Sequence, residues 1–153
     1  MTLEVLTLAV GPNDESRVDE MSKLLCDIAG PTGTTVILLH VFSESAYDEG
    51  VREAGYDPEN PPPAHTLASR LETIDEISAR LHETDIEYRI RAEIGSEADS
   101  ITRAAEETDT DMLFVGGRKR SPTGKAVFGS TAHSVMMNAP CPVAFVRKGV
   151  GPE

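Results

Sequence analysis

The sequence predicts an α/β protein built on a mostly parallel sheet, and two features carry that prediction. Apolar runs of strand length alternate with stretches of helical period, which is the pattern of strands joined by helices that cover both sheet faces. One of those runs, VILLHVF at 36–42, is apolar almost throughout, as expected of a central strand buried on both sides. The length of 153 residues suits one well-buried core, so a single domain over residues 1–150 with a short tail at 151–153 is expected.

The first strand is expected over LEVLTLAV, residues 3–10. A turn at Gly11, Pro12 and Asn13 leads to an acidic helix start at Asp14 and Glu15, after which Val18, Met21, Leu25 and Ile28 recur on one helical face. The segment GPTG at 30–33 is expected to end that helix. The second strand covers residues 35–42. Residues 43–65, with Gly50, Gly55 and three consecutive prolines at 61–63, show no sustained period and are expected to form a long variable loop.

Leu67, Leu71, Ile74, Ile77 and Leu81 mark the next helix. Ile86, Tyr88, Ile90, Ala92 and Ile94 then alternate with charged residues, which implies a strand with one wet face near a sheet edge. A helix over 97–107, a strand over 112–115, a helix over 130–138 and a last strand over 143–146 complete five strands and four helices.

Composition narrows the functional classes. The net charge is −12, with 14 cationic and 26 anionic side chains. Such self-repulsion is a route by which halophilic proteins stay soluble, and it points to a salt-loving source; an ordinary acidic cytosolic protein is the alternative. Binding of nucleic acid by the whole surface is disfavoured, because affinity for a polyanion requires clustered cations. No apolar run reaches about 18 residues and the N-terminus has no signal-like pattern, so a cytoplasmic protein without a membrane partner is expected. Cys26 and Cys141 have no metal or redox spacing and read as buried bystander thiols.

One stretch departs from the acidic background. In GGRKRSPTGKAVFGST, residues 116–131, Arg118, Lys119, Arg120 and Lys125 supply four of the 14 cations with no acid among them. The stretch follows a buried strand and ends at a helix start, the place where parallel sheets bind ligands. Helix N-termini attract anions through unpaired N–H groups, and glycines allow close backbone approach. Ser130 can cap the helix, with or without a ligand contact as well.

Two standard phosphate motifs fail. A P-loop register on Gly124 and Lys125 places Lys119 at the first glycine and Ala126 at the hydroxyl position. The first strand-to-helix turn holds a single glycine, so the dinucleotide fingerprint is absent. His40 sits in an apolar strand and reads as a satisfied core residue. His133 lies three residues past Ser130 and can face either the sheet or a ligand. His65 and His82 have no ligand-spaced partners, and no metal site is expected. No nucleophile–base set stands out.

The residues around the basic loop resemble the universal stress protein family. Its pattern G-x2-G-x9-G-[ST] is held by Gly116, Gly129 and Ser130 at the family's spacing, and NAPCPVAFVRK follows at 138–148. The LTLAV opening and the VILLHVF strand extend the resemblance over nearly the whole chain. It implies a Rossmann-like domain of the adenine nucleotide alpha hydrolase type, with a five-stranded parallel sheet of order 3-2-1-4-5.

The resemblance also implies a homodimer through the last strand, residues 142–147, and in one branch of the family ATP bound by this loop. Carried over by position, Gly116, Gly129, Ser130 and Thr131 would hold phosphates and ribose with Val115 beside them, and the Val41 backbone would meet adenine. Gly117, Arg118, Lys119, Arg120 and Lys125 complete the candidate set, the cations through charge-assisted bonds to phosphate. Mg2+ would accompany ATP.

Two positions depart from the family pattern. Lys119 stands at the second glycine, and Gly11 stands where an aspartate usually follows the first strand, leaving Asn13 or Asp14 to replace that contact. The function implied is regulatory, a nucleotide-binding protein of the stress response with at most slow incidental hydrolysis. The alternative is an interaction protein of the same fold, without a nucleotide, whose basic loop meets a partner.

Overall fold

The computed structural model describes residues 2–11, 14–116, 118–120 and 126–146, with 118–120 and 126–128 described by their backbone alone. The main sheet comprises β1 (Val5–Ala9), β2 (Thr35–Phe42), β3 (Tyr88–Ile94), β4 (Met112–Gly116) and a last strand, β7 (Val143–Val146). The strands lie in the order β3-β2-β1-β4-β7, and every pairing is parallel. This is the 3-2-1-4-5 order, with the chain's first strand at the centre.

Two helical layers cover the sheet. On one face α1 (Val18–Thr32) and α4 (Glu72–Glu83) bury Met21, Leu25, Ile74, Ile77 and Leu81 against Leu6, Leu8, Val36, Leu38 and Phe114. On the other, α5 (Glu97–Glu107) and α6 (Ser130–Asn138) bury Ile101, Ala104 and Val135 against Ala9, Leu39, Val41, Leu113 and Val115. Alternate residues of β1 and β2 therefore feed opposite cores, and each such side chain removed from water contributes about 1.5–3 kcal/mol. Every residue of β2 after Thr35 is buried, as its unbroken apolar run requires.

Several boundaries differ from the sequence reading. The helix α1 passes through Gly30 and Pro31 and stops at Gly33, whose left-handed φ of 68° lets its N–H return to Ala29 O at 3.0 Å. Proline in the last turn removes only one helical hydrogen bond, and the nearby Thr32 hydroxyl donates to Ile28 O at 2.6 Å. The segment 43–65, expected to be a loop, instead contains α2 (Glu44–Glu53) and the first residues of α3 (Ala64–Ala68). Ser43 caps α2 by accepting from Ala46 N at 3.1 Å. Only Val51 of α2 is buried, so the helix leaves almost no periodic apolar signature.

The helix expected from Leu67 to Leu81 is broken into α3 and α4, with Leu71 in extended conformation between them. The basic loop also contains structure: β5 (Arg118–Arg120) pairs antiparallel with β6 (Ala126–Phe128). Among the described residues there are thus seven strands and six α-helices, and no helix is long and apolar enough to cross a membrane.

Candidate functional site

The C-terminal ends of β1, β2 and β4 open into one cavity of about 300 Å3, roofed by α5 and α6. Parallel strands leave their helical connections at this edge, so loop and helix-start residues from distant parts of the chain gather there. β1 contributes Ala9, followed by Val10 and Gly11; β2 contributes Leu39 and Val41; β4 contributes Val115 and Gly116. Gly129, Ser130 and Thr131 bring the start of α6 to the wall, and Ile101 and Val135 add apolar surface from the two helices.

Six sequence-selected residues, Val41, Val115, Gly116, Gly129, Ser130 and Thr131, therefore line one space. Gly117 and Lys125 lie outside the described residues, as does Asn13. Arg118, Lys119 and Arg120 form β5, and their side chains are likewise outside the description. Gly129, with extended φ and ψ of −68° and 165°, is the N-cap of α6, and Ser130 is its first helical residue. Ser130 is thus not the cap, and no side-chain hydrogen bond from the N-cap covers this helix start. Gly129 has no side chain to occupy the first N–H groups of α6, and such groups attract anions.

The cavity also holds three charged residues, of which Arg17 and Glu97 were not among the candidates and Asp14 was considered only as a replacement for the missing aspartate. A 3-10 turn over Asp14–Arg17 precedes α1 and carries a buried ion pair between Arg17 and Asp14. The second carboxylate oxygen of Asp14 accepts the Gly11 N–H at 2.6 Å, which ties the turn after β1 to the pair. Asp14, one of the two residues considered as a replacement for the missing aspartate, thus reaches the cavity.

Gly116 is required by this pair. A Cβ on Gly116 would overlap Asp14 Oδ1 and lie 2.9 Å from Met21 Cε and 3.1 Å from Arg17 Cδ. The absence of a side chain at 116 thus makes room for protein atoms, quite apart from any phosphate.

Glu97 opens α5 immediately after β3 and is half-buried. Burial pushes its carboxyl above the ordinary carboxylate value, the Thr131 hydroxyl draws it back, and the charge of Asp14 raises it again. The spacing Asp-x-x-Arg at 14–17 and the position of Glu97 just past a parallel strand were signals that could have marked both acids.

The histidines separate clearly. His40 is buried, its Nδ1 lies 2.8 Å from Val10 O, and its ring meets Phe42 edge-on at 4.5 Å. Because a carbonyl only accepts, Nδ1 carries the proton; burial holds the pKa below the usual histidine value. His133 is exposed and does not line the cavity. Cys26 and Cys141 are free and only half-buried, less enclosed than expected. Among the described residues no group of three His, Cys, Asp or Glu side chains could hold a metal ion.

Comparisons with known proteins agree with this architecture. The sequence profile of the Universal stress protein family matches residues 7–147. A curated universal stress protein of Mycolicibacterium smegmatis is 29% identical over 80 residues, 52% of this chain and 62% of that relative's length. The structure resembles a universal stress protein from Archaeoglobus fulgidus with a TM-score of 0.67 at 23% identity, covering 95% of this chain and 99% of the other. It also resembles an Archaeoglobus fulgidus universal stress protein in complex with dAMP, with a TM-score of 0.65 at 19% identity, covering 95% and 99% of the two chains. With 141 consecutive residues matched on a sheet of the same order, the chain belongs to the universal stress protein family.

Proposed function

We propose that this chain is a regulatory protein of the stress response that binds an adenine nucleotide, ATP with Mg2+, in the cavity between β1, β2, β4 and α6. The observation that carries the proposal is the junction of two surfaces in one space: an apolar wall of Ala9, Leu39 and Val41, and the start of α6 at Gly129–Thr131. The apolar wall suits a flat base, with the Val41 backbone beside it. The helix start suits a phosphate, because N–H groups and hydroxyls converge there. The cavity volume falls at the lower end of the range of about 300–1,000 Å3 used by small ligands. The dAMP complex of the archaeal relative supports the ligand class.

The cations at 118–120 and 125 belong to the connection between Gly116 and α6 and would meet the phosphate tail, on which Mg2+ arrives. In molar salt their attraction is screened beyond about 3 Å, so it acts at contact. The protein works as a homodimer through β7, the outer strand of the sheet, and the neighbouring α6 leaves Met137 68% exposed for burial by a partner copy. Nucleotide occupancy changes the surface offered to other proteins; chemistry on the nucleotide is at most slow. The acidic composition suits a cytoplasm rich in salt.

Titration calorimetry of nucleotide-stripped protein with ATP and Mg2+ at molar KCl, with AMP alongside, tests this reading. Binding of ATP well above AMP places phosphates at the loop. Absence of heat with either nucleotide turns the basic loop into a contact for another protein. Replacing Arg118 and Arg120 together by Ala is expected to weaken ATP binding while leaving the unfolding midpoint in place.

A further inference from the structure

The nucleotide cavity contains a negative group in the wrong place for an anion. Glu97 lines the same wall as Thr131, and the Thr131 hydroxyl interacts with its carboxylate. Thr131 is the second residue of α6, in the turn where the phosphate of a nucleotide would lie. Arg17, the cation of the described lining, is paired with Asp14. The geometry points to Glu97 as a specificity-determining residue: its carboxylate competes with the ligand's phosphate for Thr131 and the start of α6, and so sets how strongly the pocket distinguishes phosphorylated adenosines from adenosine.

This inference rests on the nucleotide reading above and assigns a role to one residue within it. A carboxylate beside the Thr131 hydroxyl engages a donor that an incoming phosphate would also use, and two like charges in one cavity repel. Glu97 is half-buried, and burial, with the charge of Asp14, raises its carboxyl above the usual value although the Thr131 hydroxyl draws it down. A ligand phosphate must displace it or neutralise it, whereas an uncharged nucleoside has no such conflict.

The test is calorimetric titration of the whole protein and of Glu97→Gln with adenosine, AMP and ATP with Mg2+. Glutamine keeps the size and the hydrogen bond to Thr131 while removing the charge. AMP and ATP are expected to bind about tenfold more tightly to the variant, with adenosine changing least. Glu97→Ala, followed in parallel with an unfolding curve for each variant, should give the same order of ligands. An equal change for all three ligands would assign Glu97 to packing and overturn the proposal, as would unchanged or weakened AMP and ATP binding with adenosine still bound. Failure of every ligand to bind either protein would remove the nucleotide reading, and this role with it.

Discussion

Gly116 and Asp14 share one volume: the side chain that Gly116 lacks is replaced by the Asp14 carboxylate, held against the end of β4 by Arg17 and the Gly11 N–H. The first and fourth strands of the sheet are thus locked together at the edge of the candidate site by a glycine and an ion pair.

Gly116→Ala should therefore destabilise the protein even without a ligand. Overpacking of this kind costs about 1–3 kcal/mol, because backbone and a buried pair must move together. Urea unfolding at constant m-value checks it. An unchanged midpoint would mean that Asp14 and Arg17 relax freely.

Asp14→Ala removes the acceptor of Gly11 N and a charge partner of Arg17. A loss of about 2 kcal/mol is expected, with Asp14→Asn losing less because its amide oxygen can still accept. The same two variants should widen the cavity mouth beside Gly116, measured as faster amide exchange of Gly11 and Gly116.

His40 makes stability depend on pH. Its folded pKa lies below 6.5, so the unfolded chain takes up the proton first. The stability it contributes is present above pH 6.5 and is lost as pH falls towards the folded value. Glu97 acts in the opposite sense at lower pH: its raised folded pKa makes the native state the better proton acceptor above 4.5. Comparing wild type with His40→Gln between pH 7.5 and 5.5 isolates the histidine; the variant should show a shallower loss of stability. Parallel curves would exclude a neutral buried His40.

Ser22 is buried in α1 beneath the sheet, and its hydroxyl has no hydrogen-bond partner among the described residues. Ser22→Ala removes that unsatisfied group at little loss of volume and should stabilise the protein by about 1 kcal/mol. A decrease in thermal midpoint would show that the hydroxyl finds a partner in solution.

The sequence by itself determined the sheet elements and the location of the basic loop. Apolar runs and period-3.6 patterns report which residues leave water, and that is decided locally wherever an element buries a full face, as in β2 and α4; the alternating strand β3 lies at the sheet edge, where no residue is fully buried and Ile94 is exposed. It also marked six residues of the cavity, because glycine spacing and a helix start are written in the chain around position 130. Helix α2 escaped because one buried valine makes no period, and the break between α3 and α4 escaped because an apolar repeat does not reveal where the backbone turns extended. Only the tertiary structure decided that Asp14, Arg17 and Glu97 line one cavity and that Gly116 makes room for Asp14 and Arg17. Those contacts join residues as many as about a hundred positions apart, brought together by parallel strand pairing, and no local periodicity encodes which charged side chains gather at the end of the sheet.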